Sequence, residues 1–231
     1  MMRTFKPHLE ILPPEQLALW PQLRHVSALG FVLYGGTAIA LRLGHRQSVD
    51  FDFFSDKALD RHAIQEALPF MRQSTTLQDQ ANTWVVLTPS SGTQDGHVKL
   101  SFFGTINFGR VGEPDYTEDG VLQVASLIDL MATKLKVILQ RAEAKDYRDI
   151  AAMLEAGVSL AHGLAAALLL FGPNFQPSES LKALVYHEDG DLHTLTPAEK
   201  RTLIHAAKAV RELPEVTRAA ANLCGPRADA E

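Results

Sequence analysis

The segment Val49-Asp50-Phe51-Asp52-Phe53-Phe54 limits the fold more than any other stretch of the chain. Bulky apolar residues alternate with carboxylates, and side chains of an extended strand point alternately to its two faces. The pattern predicts a strand with Val49, Phe51 and Phe53 on one face and Asp50, Asp52 and Phe54 on the other. Two carboxylates one residue apart on a strand project side by side. A rigid scaffold makes a small hard-cation site in this way, suited to Mg²⁺ shared with the phosphates of a nucleotide.

The residues before this strand strengthen that reading. Residues 31–34 predict a short apolar strand, Gly35-Gly36 a turn, and residues 37–43 a helix closed by Gly44. A basic loop, His45-Arg46-Gln47-Ser48, follows. Adjacent glycines let the backbone approach a bulky anion, and a helix start offers N–H donors to phosphate oxygens. Taken singly, each part has an ordinary explanation: glycine pairs mark turns, and Asp-x-Asp decorates the solvent face of edge strands. Together they leave unexplained why carboxylates sit among bulky apolar residues just after a phosphate-type turn.

Further along, residues 60–68 predict a helix, and residues 74–78, 84–88 and 98–103 predict strands. Residues 14–29 carry a helical apolar pattern ahead of Gly30. From about residue 121 the chain turns helical, with helices expected over 126–141, 146–156, 160–171 and 196–213. Gly112, Pro114 and Gly120 make residues 111–120 read as a linker. The expected organisation is an α+β unit over residues 1–120 and a helical unit over 121–231.

Composition narrows the classes. The chain has 231 residues with 22 Lys+Arg against 27 Asp+Glu, a net charge of −5. That balance argues against an indiscriminate nucleic-acid coat, though not against a local basic groove. A single cysteine, Cys224, excludes an intramolecular disulfide and a cysteine zinc site. Residues 1–14 lack a signal-peptide core, and the most apolar run, residues 164–171, is far short of the roughly 20 residues of a spanning helix. A soluble, cytoplasmic protein with no membrane association is expected.

A second charged constellation lies between Lys134 and Arg148. Five basic residues (Lys134, Lys136, Arg141, Lys145, Arg148) stand against Glu143 and Asp146, a local net charge of +3. Asp146 and Asp149, three apart, share a helix face. Alone, the stretch reads as a solvated, charge-mixed helix pair.

Residues 35–53, including Arg46 and Ser48, resemble the first motif of the AbiEii/AbiGii-type nucleotidyltransferase toxins, close to G-G-T-x-L-A…R-x-S-x-D-x-D-F. That family belongs to the DNA polymerase β-like nucleotidyltransferase superfamily. Lys134-Leu135, Arg141 and Lys145-Asp146-Tyr147-Arg148-Asp149-Ile150 resemble its later motif, K-L…R…(R/K)-D-x-x-D-L. The resemblance implies a mixed sheet with flanking helices followed by a helical C-terminal region. It assigns Gly35, Gly36 and Thr37 to the triphosphate, Asp50 and Asp52 to the metal, and Lys134 to the nucleotide's phosphates. Arg46 and Ser48 fall within the nucleotide-binding motif, and Asp146 or Asp149 would position Lys134 or assist the acceptor. Mg²⁺ is the implied cofactor and an NTP the substrate. An RNA or tRNA, or a protein side chain, is the implied acceptor, and an antitoxin the implied partner.

One position departs from the superfamily, which usually supplies a third carboxylate from a neighbouring strand. The candidate strand reads Val98-Lys99-Leu100-Ser101-Phe102-Phe103, so Ser101 holds that place. A serine hydroxyl is a poor Mg²⁺ ligand and no general base at neutral pH. Lys99 shares its strand parity and faces either phosphate or solvent. Ser101 therefore leaves open an alternative, a catalytically weakened nucleotide-binding or regulatory protein on the same fold. The stretch His187-Glu188-Asp189-Gly190-Asp191-Leu192-His193 has metal-capable side chains but reads as a solvated loop.

Overall fold

In the computed structural model, which describes residues 3–89 and 96–225, the alternating segment forms a strand over Asp50–Phe54 whose Phe51 and Phe53 are fully buried. It is β3 of eight strands: β1 Thr4–Phe5, β2 Val32–Tyr34, β4 Thr75–Gln80, β5 Thr83–Pro89, β6 His97–Phe103, β7 Asp115–Thr117 and β8 Gln123–Val124. Among the described residues these form one mixed sheet in the order β1-β7-β8-β2-β3-β6-β5-β4. β3 runs antiparallel to β2 and parallel to β6, so the carboxylate strand lies inside the sheet. Its apolar face meets Trp20, 6.3 Å from Phe51 between ring centroids, and Phe102, 5.3 Å from Phe53. Val49 lies outside the strand and is exposed.

The described residues divide into two compact units, the first of residues 3–89, 96–109, 113–125 and 220–225, the second of residues 110–112 and 126–219. The first holds the sheet with helices α1 Pro14–Leu19, α2 Gly35–Leu43 and α3 Arg61–Ala67. The helical pattern over residues 14–29 is interrupted. Pro21 has no N–H to donate and its ring crowds the preceding turn. After Leu19 the chain therefore continues as 3₁₀ turns over Trp20–His25 and Ser27–Leu29. β1, β7 and β8 were not visible as strands in the sequence, because two or three residues cannot display a period of two. β7 lies within the stretch read as a linker, and Gly120 sits in the turn that joins it to β8.

Arg42 fixes the far end of α2. Its guanidinium donates to the carbonyls of Ala125 and Val124 and to Asp115 Oδ2, each at 2.9 Å, and lies over the Phe5 ring. Helix direction is thus set by β7 and β8, and the double-glycine start of α2 is aimed accordingly.

The second unit contains α4 Leu127–Val137, α5 Ala144–Glu155, α6 Leu160–Phe171, α7 Pro177–Ala183 and α8 Pro197–Ala209. α4 and α6 approach closely at Gly163, where a Cβ would collide with the Met131 side chain. α4 ends at Val137 rather than continuing to Arg141, because Leu139 and Gln140 bond three residues back, to Lys136 and Val137. α8 is closed at its start by a capping box between Thr196 and Glu199. Among the described residues no helix is long and apolar enough to cross a membrane.

The start of α4 depends on Asp129. Its carboxylate accepts from Val111 N at 2.8 Å, Gly112 N at 3.0 Å and the Ser126 hydroxyl at 2.6 Å, and it is almost wholly buried. Removing it orphans two part-buried N–H groups. Asp129→Ala is expected to lower the stability of the helical unit by roughly 2–4 kcal/mol in urea denaturation, with Asp129→Asn recovering part of the loss.

Candidate active site

In the first unit the residues singled out in the sequence converge around the β2–α2–β3 passage. Tyr34, the last residue of β2, pairs with Asp52 across the strands, so the chain turns into α2 directly beside the second carboxylate. Gly35 has a φ of +74, a conformation that side-chain-bearing residues rarely adopt. A Cβ there would lie 2.5 Å from Asp52 Oδ2. The Arg46 guanidinium lies against Gly36 and would collide with a side chain at that position. Glycine is therefore required at Gly35 for the turn, while at Gly36 it leaves room for the Arg46 guanidinium on the helix start. The first N–H groups of α2 have no partner within the helix and carry its positive dipole end.

Thr37 and Ser48 tie this turn to β3. Thr37 Oγ1 is hydrogen-bonded to the Asp50 carbonyl and lies 2.8 Å from Ser48 Oγ. A carbonyl only accepts, so the single Thr37 proton goes to Asp50, and Ser48 supplies the proton shared between the two hydroxyls. Both residues are buried. Their hydroxyls hold the turn to β3.

The neighbouring strand gives the carboxylates their surroundings. In the parallel register of β3 and β6, Asp50 stands beside Lys99 and Asp52 beside Ser101. Lys99 Nζ is 3.2 Å from Asp50 Oδ2, with both side chains partly exposed. Ser101, by contrast, is buried. Among the described residues no third His, Cys, Asp or Glu completes a metal-binding group. Asp50 and Asp52 nevertheless suit a hard divalent ion that keeps waters and takes further oxygens from substrate phosphates, as Mg²⁺ does. They share one face, and the space beside Asp52 is kept clear by Gly35.

In the helical unit Lys134, Asp146 and Asp149 are brought together. Lys134 Nζ is 2.6 Å from Asp146 Oδ1 and 2.7 Å from Asp149 Oδ2, and all three side chains are buried. Arg141 lies beyond the end of α4, yet its Nε reaches Asp146 Oδ2 at 2.8 Å and its Nη2 reaches Oδ1 at 3.2 Å. Burial pushes the Asp146 carboxyl up, but the Arg141 hydrogen bond and the Lys134 charge outweigh it and hold it below the usual aspartate range. Four charges thus balance within one cluster.

The loop over residues 187–193 is mostly exposed, as the sequence suggested, with His187 and Leu192 buried, and it is tied to α5. Asp191 Oδ1 accepts from Ala144 N at 2.6 Å and so caps the start of α5. His187 is buried, its ring against Tyr147, whose hydroxyl burial pushes up to about 12. No local spacing signals a cap supplied 47 residues downstream.

Solved structures share the fold. A candidate nucleotidyltransferase from H. pylori matches with a TM-score of 0.56 at 19% identity, covering 84% of this chain and 92% of that one. MenT4, a nucleotidyltransferase toxin from Mycobacterium tuberculosis H37Rv, matches with a TM-score of 0.56 at 15% identity, over 83% of this chain and 86% of that one. An uncharacterized protein of Aquifex aeolicus (strain VF5) is 30% identical over 173 residues, 72% of this chain and 80% of its own length. Residues 23–220 match the model of the AbiEii nucleotidyl transferase toxins of type IV toxin–antitoxin systems, and the chain belongs to that family. By family it is a nucleotidyltransferase.

Two outcomes follow from this geometry. Gly35→Ala is expected to lower the melting temperature and to weaken NTP-induced thermal stabilisation, because the new methyl both strains φ and displaces Asp52. Asp146→Asn is expected to cost about 3–5 kcal/mol at pH 7 by leaving Lys134 underpaired. Because the folded carboxyl lies below its unfolded value, its contribution is complete above about pH 4 and fades as pH falls through the folded value. The gap between wild type and Asp146→Asn in urea denaturation should therefore narrow on acidification.

Proposed function

We propose that the protein transfers an NMP from an NTP to an acceptor hydroxyl, on RNA such as tRNA or on a protein, in a Mg²⁺-dependent reaction in the cytoplasm. The acceptor oxygen attacks the α-phosphorus and forms a new P–O bond. The bond from that phosphorus to the bridging oxygen breaks, pyrophosphate leaves with the electron pair, and the acceptor proton passes to water or a carboxylate. Such chemistry is chiefly positioning and electrostatics, which is why so few side chains suffice.

Asp50 and Asp52 would hold Mg²⁺, which when bound offsets the negative charge of the phosphates. Gly35, Gly36 and Thr37 offer main-chain N–H groups to the triphosphate, and Arg46 adds a positive charge over the same helix start. Ser48 holds Thr37 in place beneath them. We assign Lys134 to the nucleotide's phosphates, with Asp146 and Asp149 as its positioning residues and Arg141 holding Asp146. Membership of a toxin family supports a growth-inhibiting role and an antitoxin partner.

The observation that supports the reading is the closeness of the Asp52 carboxylate to Gly35, where a Cβ would lie 2.5 Å from Oδ2. The test uses α-labelled NTPs with total cellular RNA and, separately, the protein fraction as acceptors. Label should enter one of them, only with a divalent ion, and Asp50→Ala or Asp52→Ala should reduce incorporation at least about 100-fold. Undiminished transfer by either variant would overturn the assignment.

A further inference from the structure

We infer that Lys99 is a built-in cation of the active site, standing where a second divalent ion would otherwise bind, so that the protein takes up one divalent ion with its NTP. The inference rests on the proposed roles of Asp50 and Asp52 and concerns what β6 adds to them.

Its basis is the position of Lys99. β3 and β6 lie in the interior of the sheet, flanked by β2 and β5, whereas strand lysines that merely guard against aggregation belong at sheet edges. The parallel register sets Lys99 beside Asp50, and its Nζ reaches Asp50 Oδ2 at 3.2 Å. The side chain is 40% exposed and that of Asp50 37%, so the pair opens to solvent on the face that must receive substrate. Two residues on, the neighbour of Asp52 is Ser101, only 2% exposed and neutral.

Charge then decides the metal count. Three carboxylates on adjacent strands would present −3 to incoming cations. Here two carboxylates and one ammonium present −1 before the Arg46 guanidinium against Gly36 is counted, and among the described residues no further acidic, His or Cys ligand joins them. One divalent ion already reverses that charge, and a second would meet a lysine in place of a ligand. Lys99 has a flexible four-carbon stem and a compact ammonium. It is therefore able to leave Asp50 for a phosphate oxygen when the carboxylate takes up its ion, supplying near the α-phosphate the positive charge that a second metal would otherwise bring.

The test counts bound metal without turnover. Mn²⁺ is titrated by electron paramagnetic resonance into the full chain with each α,β-methylene NTP in turn. Wild type is expected to bind one Mn²⁺ per chain with the analogue. Lys99→Glu, which places a third carboxylate beside Asp50, is expected to bind two. Lys99→Met should tighten the second, weak ion by about tenfold or more. Unchanged melting temperatures would show that both variants fold. Two ions in wild type, or one ion in both Lys99 variants at unaltered affinity, would overturn the inference. Asp52→Asn separates it from the reading beneath it. Should that variant hold Mn²⁺ and analogue as tightly as wild type, the active-site assignment itself falls, and the inference with it. Should it lose the ion while Lys99→Glu still binds one, only the role of Lys99 is refuted.

Discussion

The period of two along β3 couples the core to the candidate chemistry. Burying Phe51 and Phe53 contributes about 1.5–3 kcal/mol each, and a slip of one residue would exchange them for Asp50 and Asp52. An unpaired carboxylate forced into that apolar layer would cost several kcal/mol more. The hydrophobic core therefore points both carboxylates outward, whatever they do there. Pairing of Tyr34 with Asp52 then delivers the double-glycine turn to the second of them. The Thr37 hydroxyl locks the arrangement to the main chain of the first. Position and charge at this place are consequences of ordinary sheet packing, elaborated by two glycines.

The buried cluster of the helical unit follows another logic. Lys134, Asp146 and Asp149 with Arg141 exchange hydration for mutual attraction, and such networks rarely add stability over an apolar filling of equal volume. What they provide is a fixed position for an ammonium. Lys134 is held by two carboxylates on successive turns of α5, Asp146 by the flexible reach of Arg141 from the loop.

The alternation of residues 50–54, the helix caps at Ser126 and Thr196 and the Gly44 stop were all legible from local sequence, because each is decided by a few adjacent residues. The fold class and family were legible as well, through the dense motif from Gly35 to Phe53. What was hidden depends on distant partners. The sheet's outer strands are too short to show a period. Pro21 breaks a helix that the apolar spacing alone extends, and α4 ends before Arg141 in tightened turns. Strand parity placed Lys99 with Ser101 but left its orientation open; only the register with β3 joins it to Asp50. Likewise the spacing of Asp146 and Asp149 predicted a shared face, while the convergence of Lys134 and Arg141 on them required the loop after α4 to fold back.

The cap that Asp191 places on Ala144 extends this dependence beyond the charged cluster. Asp146 lies in the first turn of the helix that this bond anchors. A frayed helix start would swing one of the two anchors of Lys134 out of register, although Asp191 lies 45 residues from Asp146 in sequence. A genetic screen for inactive toxin would thus recover lesions in an apparently idle surface segment, and their phenotype would be indistinguishable from that of losing the lysine's anchor.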